Sequence, residues 1–338
     1  WFSYTGSPVF NPILNPFGIQ WSKSIPSGTA GAILTVAHTS VSGQGENTLL
    51  TKYDSYGSIV WQKDYNTSST NNDYGIDVTE DPTTGDIFLV GTTDNGGSTN
   101  YDVVILKYNS TGSLVATQTY TGSAGLNDIG TAIVGDGAGN VYVAASNENV
   151  STSYDYLLIK LNSSLSVLWT NTYDFASLIE VPVGLVYKST KVQVLGASAS
   201  SAVNWDYTAV NFNPTTGAYI SDNRSNVSGV GYDQPLAYVM DASGNVFLTG
   251  RASSDGINYD IRTVKISNNN TIAWIQSFDA NGFEDVGNTI ALDGSGNVIV
   301  GGFITNSNNT KEIICLKYNS SGTLLWKHTQ PSKDMTAD

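Results

Sequence analysis

Cysteine and histidine are almost absent from this chain. Cys315 is the single cysteine, so an intramolecular disulfide is impossible, and the apolar residues around it predict a buried, unreactive thiol. His38 and His328 are the only histidines, too few for a metal site that is built on histidine. No apolar run reaches about 18 residues, so the sequence predicts no transmembrane segment.

Charge is also scarce, and most of it is acidic. Charged residues make up 13% of the 338 residues, and the net charge is −14. A nucleic-acid backbone requires a basic face, so we expect no nucleic-acid partner. The chain has no glycine-rich phosphate loop and no serine or cysteine nucleophile motif beside its histidines. The composition therefore gives little support to a catalytic function.

What the chain does have is repetition. A short apolar segment occurs six times, and its copies start at Ile33, Ile87, Val141, Val192, Val246 and Val298. The starts are 54, 54, 51, 54 and 52 residues apart. Such a period is typical of architectures in which each unit buries its apolar faces against its neighbours. The repetition specifies an architecture but names no reaction or ligand.

One repeat, from Asp73 to Tyr120, divides into four strands that we label a to d. Clusters of Gly, Asn, Asp, Ser and Thr separate them, and these residues favour tight turns. Strand a is residues 73–81, b is 85–91, c is 101–109 and d is 112–120. Strand b is apolar on both faces, which predicts burial between two sheets. Short a–b and c–d turns make the four strands one antiparallel meander.

A meander that is apolar on both faces requires a neighbour on each side. Six such sheets arranged radially cover one another, so the sequence predicts an all-β, six-bladed β-propeller of four-stranded antiparallel blades; a seven-bladed ring is the alternative. We assign residues 17–330 to the propeller, with Phe17–Trp21 in the first strand a. Residues 1–16 form an N-terminal strand or latch segment, and residues 331–338 form a C-terminal tail.

The N-terminal strand is surplus to six complete blades, because the last repeat has its own strand d. Its residues resemble the end of a strand d and are Trp1, Phe2, Ser3, Tyr4 and Thr5. This strand can pair with the last blade and close the ring, or pair with another subunit in an assembly or filament. The chain starts without Met or a signal-like segment, which suggests a processed form or an excised fragment.

The repeat signature resembles a known family. It consists of D-x-G before strand a, D-x-x-G-N-[VI]-x-[VL] through strand b, Y-D-x-x-x-x-K-Y on strand c and G-x-x-x-W on strand d. The pattern extends from about Phe17 to Thr329 and is similar to the bacterial and archaeal β-propeller repeats called SBBP repeats. The resemblance implies a secreted or cell-surface protein, often adhesive or of unknown role, and supplies no catalytic residues.

Two positions of the repeat predict contacts between blades. We expect the strand-c lysines to reach acids or carbonyls of adjacent blades; they are Lys52, Lys107, Lys160, Lys265 and Lys317. We expect the strand-d tryptophans to pack between blades; they are Trp61, Trp169, Trp274 and Trp326, with Ala116 and Ile220 in their place in two blades.

Carboxylates precede strand a in several blades. They are Asp73, Asp128, Asp233 and Asp285, with Glu180 near the equivalent position of blade three. Around one mouth of a central channel, such a ring could bind Ca²⁺ or cationic groups, and Ca²⁺ is the one cofactor that we consider. Alternatively, each carboxylate accepts hydrogen bonds from backbone amides of its own loop.

Binding residues are also suggested by aromatic side chains and glycosylation motifs. Trp205, with Asn204 and Asp206 beside it, is our first candidate for contact with a sugar or a partner surface, although packing at a strand end is the alternative. Nine Asn-x-Ser/Thr motifs fall in predicted turns and rims and fit a secreted glycoprotein. They start at Asn66, Asn109, Asn149, Asn162, Asn223, Asn226, Asn269, Asn308 and Asn319.

From these features we expect a non-enzymatic, extracellular or cell-surface module with a structural or adhesive role. It would bind protein or glycan through its loops, and it could self-associate through the N-terminal strand. The alternative is a secreted glycan-active enzyme, a lyase or glycosidase with its site at a channel mouth. That alternative predicts non-repeating polar residues that converge in one or two blades.

Overall fold

The computed structural model is all-β and consists of six blades. It describes residues 20–27, 31–43, 45–68, 71–94, 100–122, 126–149, 153–175, 177–201, 204–225, 231–253 and 255–331. Each set of four consecutive strands forms one antiparallel sheet, so the predicted six-bladed β-propeller is confirmed. Within these ranges no helix has the length and apolar character needed to cross a membrane.

The strands follow the order a, b, c, d in every blade. Blade one has β1 (Gln20–Pro26), β2 (Ile33–Val41), β3 (Gly45–Tyr53) and β4 (Ile59–Tyr65). Blade two has β5 (Asp73–Glu80), β6 (Ile87–Asp94), β7 (Tyr101–Tyr108) and β8 (Leu114–Tyr120). Blade three has β9 (Asp128–Gly135), β10 (Val141–Asn149), β11 (Ser153–Leu161) and β12 (Val167–Tyr173).

Blade four has β13 (Glu180–Lys188), β14 (Lys191–Ser201), β15 (Asn204–Phe212) and β16 (Tyr219–Ser225). Blade five has β17 (Gln234–Met240), β18 (Val246–Ala252), β19 (Asp260–Ile266) and β20 (Ile272–Phe278). Blade six has β21 (Val286–Leu292), β22 (Val298–Thr305), β23 (Lys311–Tyr318) and β24 (Leu324–Pro331).

The first strand lies later in the chain than predicted. We assigned Phe17–Trp21, whereas β1 spans Gln20–Pro26. In the pairing with β2, Lys23 lies opposite Val36, the place that Asp77 takes in blade two. Our alignment was therefore shifted, because blade one matches the repeat poorly at this strand. The predicted strand Trp1–Thr5, the rest of the latch and residues 332–338 lie outside the described residues.

Apolar packing holds successive blades together. The strands a contact one another from blade to blade, which places them innermost in the propeller. Five apolar clusters each join two successive blades, from the first pair to the fifth. In the cluster between blades two and three, Phe88 and Ile105 of one sheet pack on Val143 and Leu157 of the next. Burial of apolar surface between sheets is therefore the main stabilising contribution.

At three junctions, a strand-d tryptophan packs against a glycine in the c–d turn of the next blade. A Cβ added to Gly112, Gly217 or Gly322 would lie 2.6–2.9 Å from a tryptophan of the preceding blade. These glycines also have positive φ, so no other residue suits both the backbone and the space. The tryptophans are Trp61, Trp169 and Trp274, and their predicted packing role is confirmed.

The two junctions without a strand-d tryptophan are matched differently. Ala116 packs in the same cluster as Leu165, which takes the turn position of the glycines with a φ of 61°. In blade four, Ser221 lies opposite Asn211, as Trp61 lies opposite Lys52, so Ser221 rather than the predicted Ile220 replaces the tryptophan. Our assignment was wrong by one residue, because the short repeat signature is degenerate in this blade.

Lysine side chains add polar links across the junctions, as predicted. Three strand-c lysines donate to a carbonyl of the next blade's c–d turn: Lys107 to Ser163 at 2.8 Å, Lys160 to Pro214 at 2.8 Å and Lys265 to Ser320 at 3.0 Å. Blade four has Asn211 at this position, and Lys191 of strand b donates to Asn268 instead. These lysines are thus structural links between blades, and Lys52 pairs with Glu80 of blade two at 3.7 Å, whereas Lys317 pairs with Asp293 of its own blade, contrary to the prediction.

Candidate functional site

We call the side of the propeller where strands b end and strands c and a begin the loop face. The four predicted carboxylates lie at this side, but all four are buried: they are Asp73, Asp128, Asp233 and Asp285. Three of them accept a hydrogen bond from a backbone amide in the connection that leads into strand a. Thr67 donates to Asp73, Gly122 to Asp128 and Ala280 to Asp285.

Asp73, Asp128 and Asp285 are therefore loop caps, and none of the four carboxylates is exposed. Asp233 differs slightly, since it accepts from the Ser253 amide and from Arg262. Burial raises the pKa of each of the four carboxyl groups, for Asp233 to about 6. The repeat that places three of these acids also brings loop amides to their oxygens, which favours the capping alternative; binding of Ca²⁺ or a cationic group at these residues stays a prediction.

Glu180 follows this capping pattern through a backbone hydrogen bond with Phe175, but it also lies beside other carboxyl groups. It begins strand a of blade four, not blade three as we counted, and it is fully buried. Its Oε1 accepts from the Ser198 hydroxyl at 2.7 Å, and the carboxyl also has a backbone hydrogen bond with Phe175. Burial raises the pKa of Glu180 to about 8. This carboxyl is therefore mostly protonated at neutral pH.

Two further carboxylates meet Glu180 at the junction of blades three and four. Asp155 comes from strand c of blade three, and Asp174 follows strand d of the same blade. One oxygen of each group lies within 4.8 Å of the others. Within the described ranges, this is the one set of three or more such groups that approach so closely. Three carboxyls at this distance can share a proton or hold a hard cation such as Ca²⁺.

The three arginines of the chain all lie near this region, in blades four and five. Arg224 donates to the Ser198 hydroxyl at 2.7 Å and lies 3.3 Å above the centre of the Phe175 ring. Arg262 pairs with Asp233 at 3.2 Å, and both side chains are buried. The arginines, which are not part of the repeat signature, therefore lie at the loop face of blades four and five.

Asp206 interacts electrostatically with both Arg224 and Arg262. This side chain is buried, and burial raises its pKa, while the positive charges of Arg224 and Arg262 oppose the rise. Asp206 is thus part of an internal ionic network and not an exposed ligand contact, which corrects our binding hypothesis for it. Sequence reasoning missed this network, although one signal was present: all arginines of the chain fall within residues 224–262.

Trp205 lies at the start of strand c of blade four, half-buried at the loop face. Its ring centre is 6.2 Å from that of Tyr232, with the planes tilted by 47°. The Trp205 carbonyl accepts from the Asp233 amide at 3.1 Å, and Asn204 donates to Ser200. Trp205 therefore has a packing role at a strand end and also presents part of an aromatic pair to solvent.

The comparisons with known proteins support the architecture. No family model and no curated protein matches the chain. Two solved structures have a TM-score of 0.53: the quinohemoprotein alcohol dehydrogenase ADHIIG of Pseudomonas putida HK5 and a protein of unknown function from Dyadobacter fermentans DSM 18053. The chain is a β-propeller.

These similarities concern the fold alone, because the identities are 8% and 9%. The alignments cover 88% of this propeller and 57% of the dehydrogenase, and 87% of this propeller and 93% of the Dyadobacter protein. A subtype N11 neuraminidase-like protein of A/flat-faced bat/Peru/033/2010 aligns over 86% of this propeller and 85% of its own chain, at 12% identity and a TM-score of 0.46. The resemblance to SBBP repeats stays a prediction.

Several candidate glycosylation asparagines have a structural role in the propeller. The Oδ1 atoms of Asn109, Asn162 and Asn319 each accept amide hydrogen bonds within their own c–d turn. Asn223 donates to the Asn270 carbonyl of the next blade at 2.6 Å. Asn269 and Asn308 are exposed, and Asn226 lies outside the described residues. Turn formation therefore explains some of these motifs without glycosylation.

We expect Glu180 to make the stability of the propeller depend on pH. Its pKa is about 8 in the folded protein against an ordinary value of 4.5, so the folded state binds the proton more tightly between these pH values. The free energy of unfolding therefore falls as pH rises through this window. Urea unfolding measures the difference in unfolding free energy between Glu180→Gln and wild type. From pH 5 to pH 9, this difference should change by about 2–5 kcal/mol in favour of the variant. A constant difference between the two proteins would contradict this assignment.

Proposed function

We propose that this propeller is a non-enzymatic, extracellular or cell-surface module with a structural or adhesive role. The supporting observation is that the fold itself uses the repeated polar residues. The strand-a aspartates cap loops, and strand-c lysines link blades. Binding is then left to side chains that differ from the repeat, such as Trp205, which stands where blades two, three and five have a tyrosine.

The ligand that suits this face is a glycan or a protein surface. Trp205 and Tyr232 form a tilted aromatic pair of which both members are half-buried, and such rings stack on sugars and on partner side chains. Asp174 is exposed at the neighbouring junction, between blades three and four. The net charge of −14 disfavours nucleic acid.

Binding to insoluble polysaccharides tests the proposal. Pull-down with chitin, xylan and mannan measures affinity for wild type, Trp205→Ala and Tyr101→Ala. Tyr101 is the matched control, because it also begins a strand c but lies in blade two. We expect Trp205→Ala to weaken binding about tenfold and Tyr101→Ala to leave it within about twofold. Equal effects of the two substitutions would contradict a site at Trp205.

One observation favours the enzymatic alternative, a glycosidase or lyase. Asp155 and Glu180 approach within 4.8 Å, and Glu180 holds a proton, as the acid of a glycosidase pair does; retaining enzymes place such groups about 5 Å apart. Against this, Glu180 is fully buried, so a sugar cannot reach it. Release of reducing ends from the same polysaccharides, abolished by Glu180→Gln, would overturn the non-enzymatic proposal.

Ca²⁺ at the Asp155–Asp174–Glu180 cluster is the cofactor alternative. Hard cations bind several carboxylate oxygens, and an ion there would link blades three and four. Thermal unfolding with EDTA and with added Ca²⁺ tests it. An unchanged Tm in both conditions would end the Ca²⁺ hypothesis, and a rise with Ca²⁺ that Asp174→Asn removes would support it.

A further inference from the structure

Among the described residues, blade six is covered on one side only. Its Ile313 is 63% exposed, whereas the side chains at the same position of strand c in blades two to five are at most 1% exposed: Val103, Tyr156, Tyr207 and Ile261. Ile299 and Cys315 are half-buried, while their counterparts Phe88 and Ile105 in blade two are buried. The apolar face turned away from blade five is therefore open to solvent.

The polar and aromatic links of the other junctions are also missing here. Trp326 is 43% exposed, and a Cβ on Gly57, the glycine of blade one's c–d turn, would meet nothing within 4 Å. Lys317 pairs with Asp293 of its own blade at 2.8 Å and not with a turn of blade one. Among the described residues, no apolar cluster joins blade six to blade one.

We define the open face of blade six by Ile299, Ile313, Cys315 and Trp326. At five other junctions the equivalent face is buried against the next sheet, so this face has the composition of an interior surface. A contiguous apolar patch of this kind on a protein surface marks a contact with another segment or chain. The question is which segment covers it.

The N-terminal residues 1–19 have the composition that such a face requires. They contain no charged residue, in a chain whose charged share is 13%, and nine large apolar or aromatic side chains. They lead directly into β1 of blade one, the blade across the gap from the open face. Fully extended, they could reach about 60 Å, while four strands of a sheet span only about 15–20 Å.

We propose that residues 1–19 pack on the open face of blade six in the same molecule. Covalent attachment to β1 gives the segment an effective concentration of the order of millimolar near blade six. A second copy at micromolar concentration competes poorly with a tethered segment. The proposal does not depend on the ligand of the loop face, so the two can fail separately.

Disulfide trapping tests the proposal with the single native thiol as the probe. Cysteines are introduced one at a time at Val9, Phe10, Ile13 or Leu14 of the full chain, and each variant is oxidised mildly. We expect at least one to form a disulfide with Cys315 within the monomer. The matched control is Ser164→Cys, an exposed turn position in blade three, which should form none.

Thiol reactivity gives a second readout. Deletion of residues 1–19 should speed the reaction of Cys315 with a maleimide about tenfold, because its cover is lost. An Ile105→Cys, Cys315→Ala protein is the control: its thiol lies at the same position of blade two, and deletion should leave its rate unchanged.

Three results would overturn the proposal. These are no disulfide from any of the four positions, disulfides only in dimers and larger species, or an unchanged Cys315 rate after deletion. Disulfides only in dimers, together with a smaller assembly when residues 1–6 are deleted, would assign the face to the N-terminal strand of a second copy.

Discussion

The double variant Ala116→Trp, Leu165→Gly should be about as stable as wild type, although each single substitution destabilises the propeller. Ala116 and Leu165 belong to the same apolar cluster between blades two and three, and Leu165 is buried. Tryptophan at 116 alone would collide with Leu165, at a cost of about 1–3 kcal/mol. Glycine at 165 alone would leave a cavity, at a cost of about 2–4 kcal/mol.

Together the two substitutions recreate the tryptophan–glycine pair of three other junctions. The backbone at residue 165 already has a φ of 61°, which glycine adopts without strain. Urea unfolding of the four proteins of the cycle should give a coupling energy of about 2–3 kcal/mol in favour of the double variant. Additive losses would show that the pairs at the junctions are not matched.

Arg262→Met should cost about 3–5 kcal/mol of unfolding free energy at pH 7 or above. Arg262 and Asp233 form a buried pair with a 3.2 Å contact. Removal of the guanidinium leaves a buried carboxylate without its partner, and the pKa of Asp233, already about 6, rises further. The loss should therefore be smaller at pH 5, where Asp233 is protonated.

Two controls accompany this substitution. Arg251→Met removes a partly exposed arginine that pairs with Glu284, and it should cost about 1 kcal/mol or less. Adding Asp233→Asn to Arg262→Met should recover most of the loss, because residue 233 then carries no charge that requires the missing guanidinium. Equal losses for Arg251→Met and Arg262→Met, or no recovery in the double variant, would show that burial of the pair is not what matters.

The blades themselves could be predicted from the sequence because their signals are local. Strand b, the turn glycines and the strand-c lysines recur at a fixed period, and each reports on its own hairpin. The errors came where the repeat is degenerate: Lys23 and not Gln20 takes the place of Asp77 in β1, and Ser221 and not Ile220 replaces the tryptophan.

The candidate site could not be predicted in the same way. Asp155, Asp174 and Glu180 belong to three different segments, and their proximity depends on how blade three packs on blade four. The role of the strand-a aspartates was left open between capping and ligand binding, and only burial favours capping. Motif spacing carries no information about either property.

The exposed face of blade six could not be predicted from the sequence either. Trp326, Lys317 and Gly57 occupy the same repeat positions as residues that meet at other junctions, so the sequence predicts that they meet as well. Whether blade six meets blade one depends on the orientation of each blade relative to the next, added over all six blades. No local signal reports on that sum.

Each blade is stabilised by the neighbouring sheets that cover its faces, and blades one and six each have one such neighbour among the described residues. Amide hydrogen exchange of the six strands c tests it most directly, since exchange reports local opening. We predict exchange about tenfold or more faster in β3 and β23 than in β7, β11, β15 and β19, with β23 accelerated further by deletion of residues 1–19. Uniform protection of all six strands, unchanged by the deletion, would contradict the account.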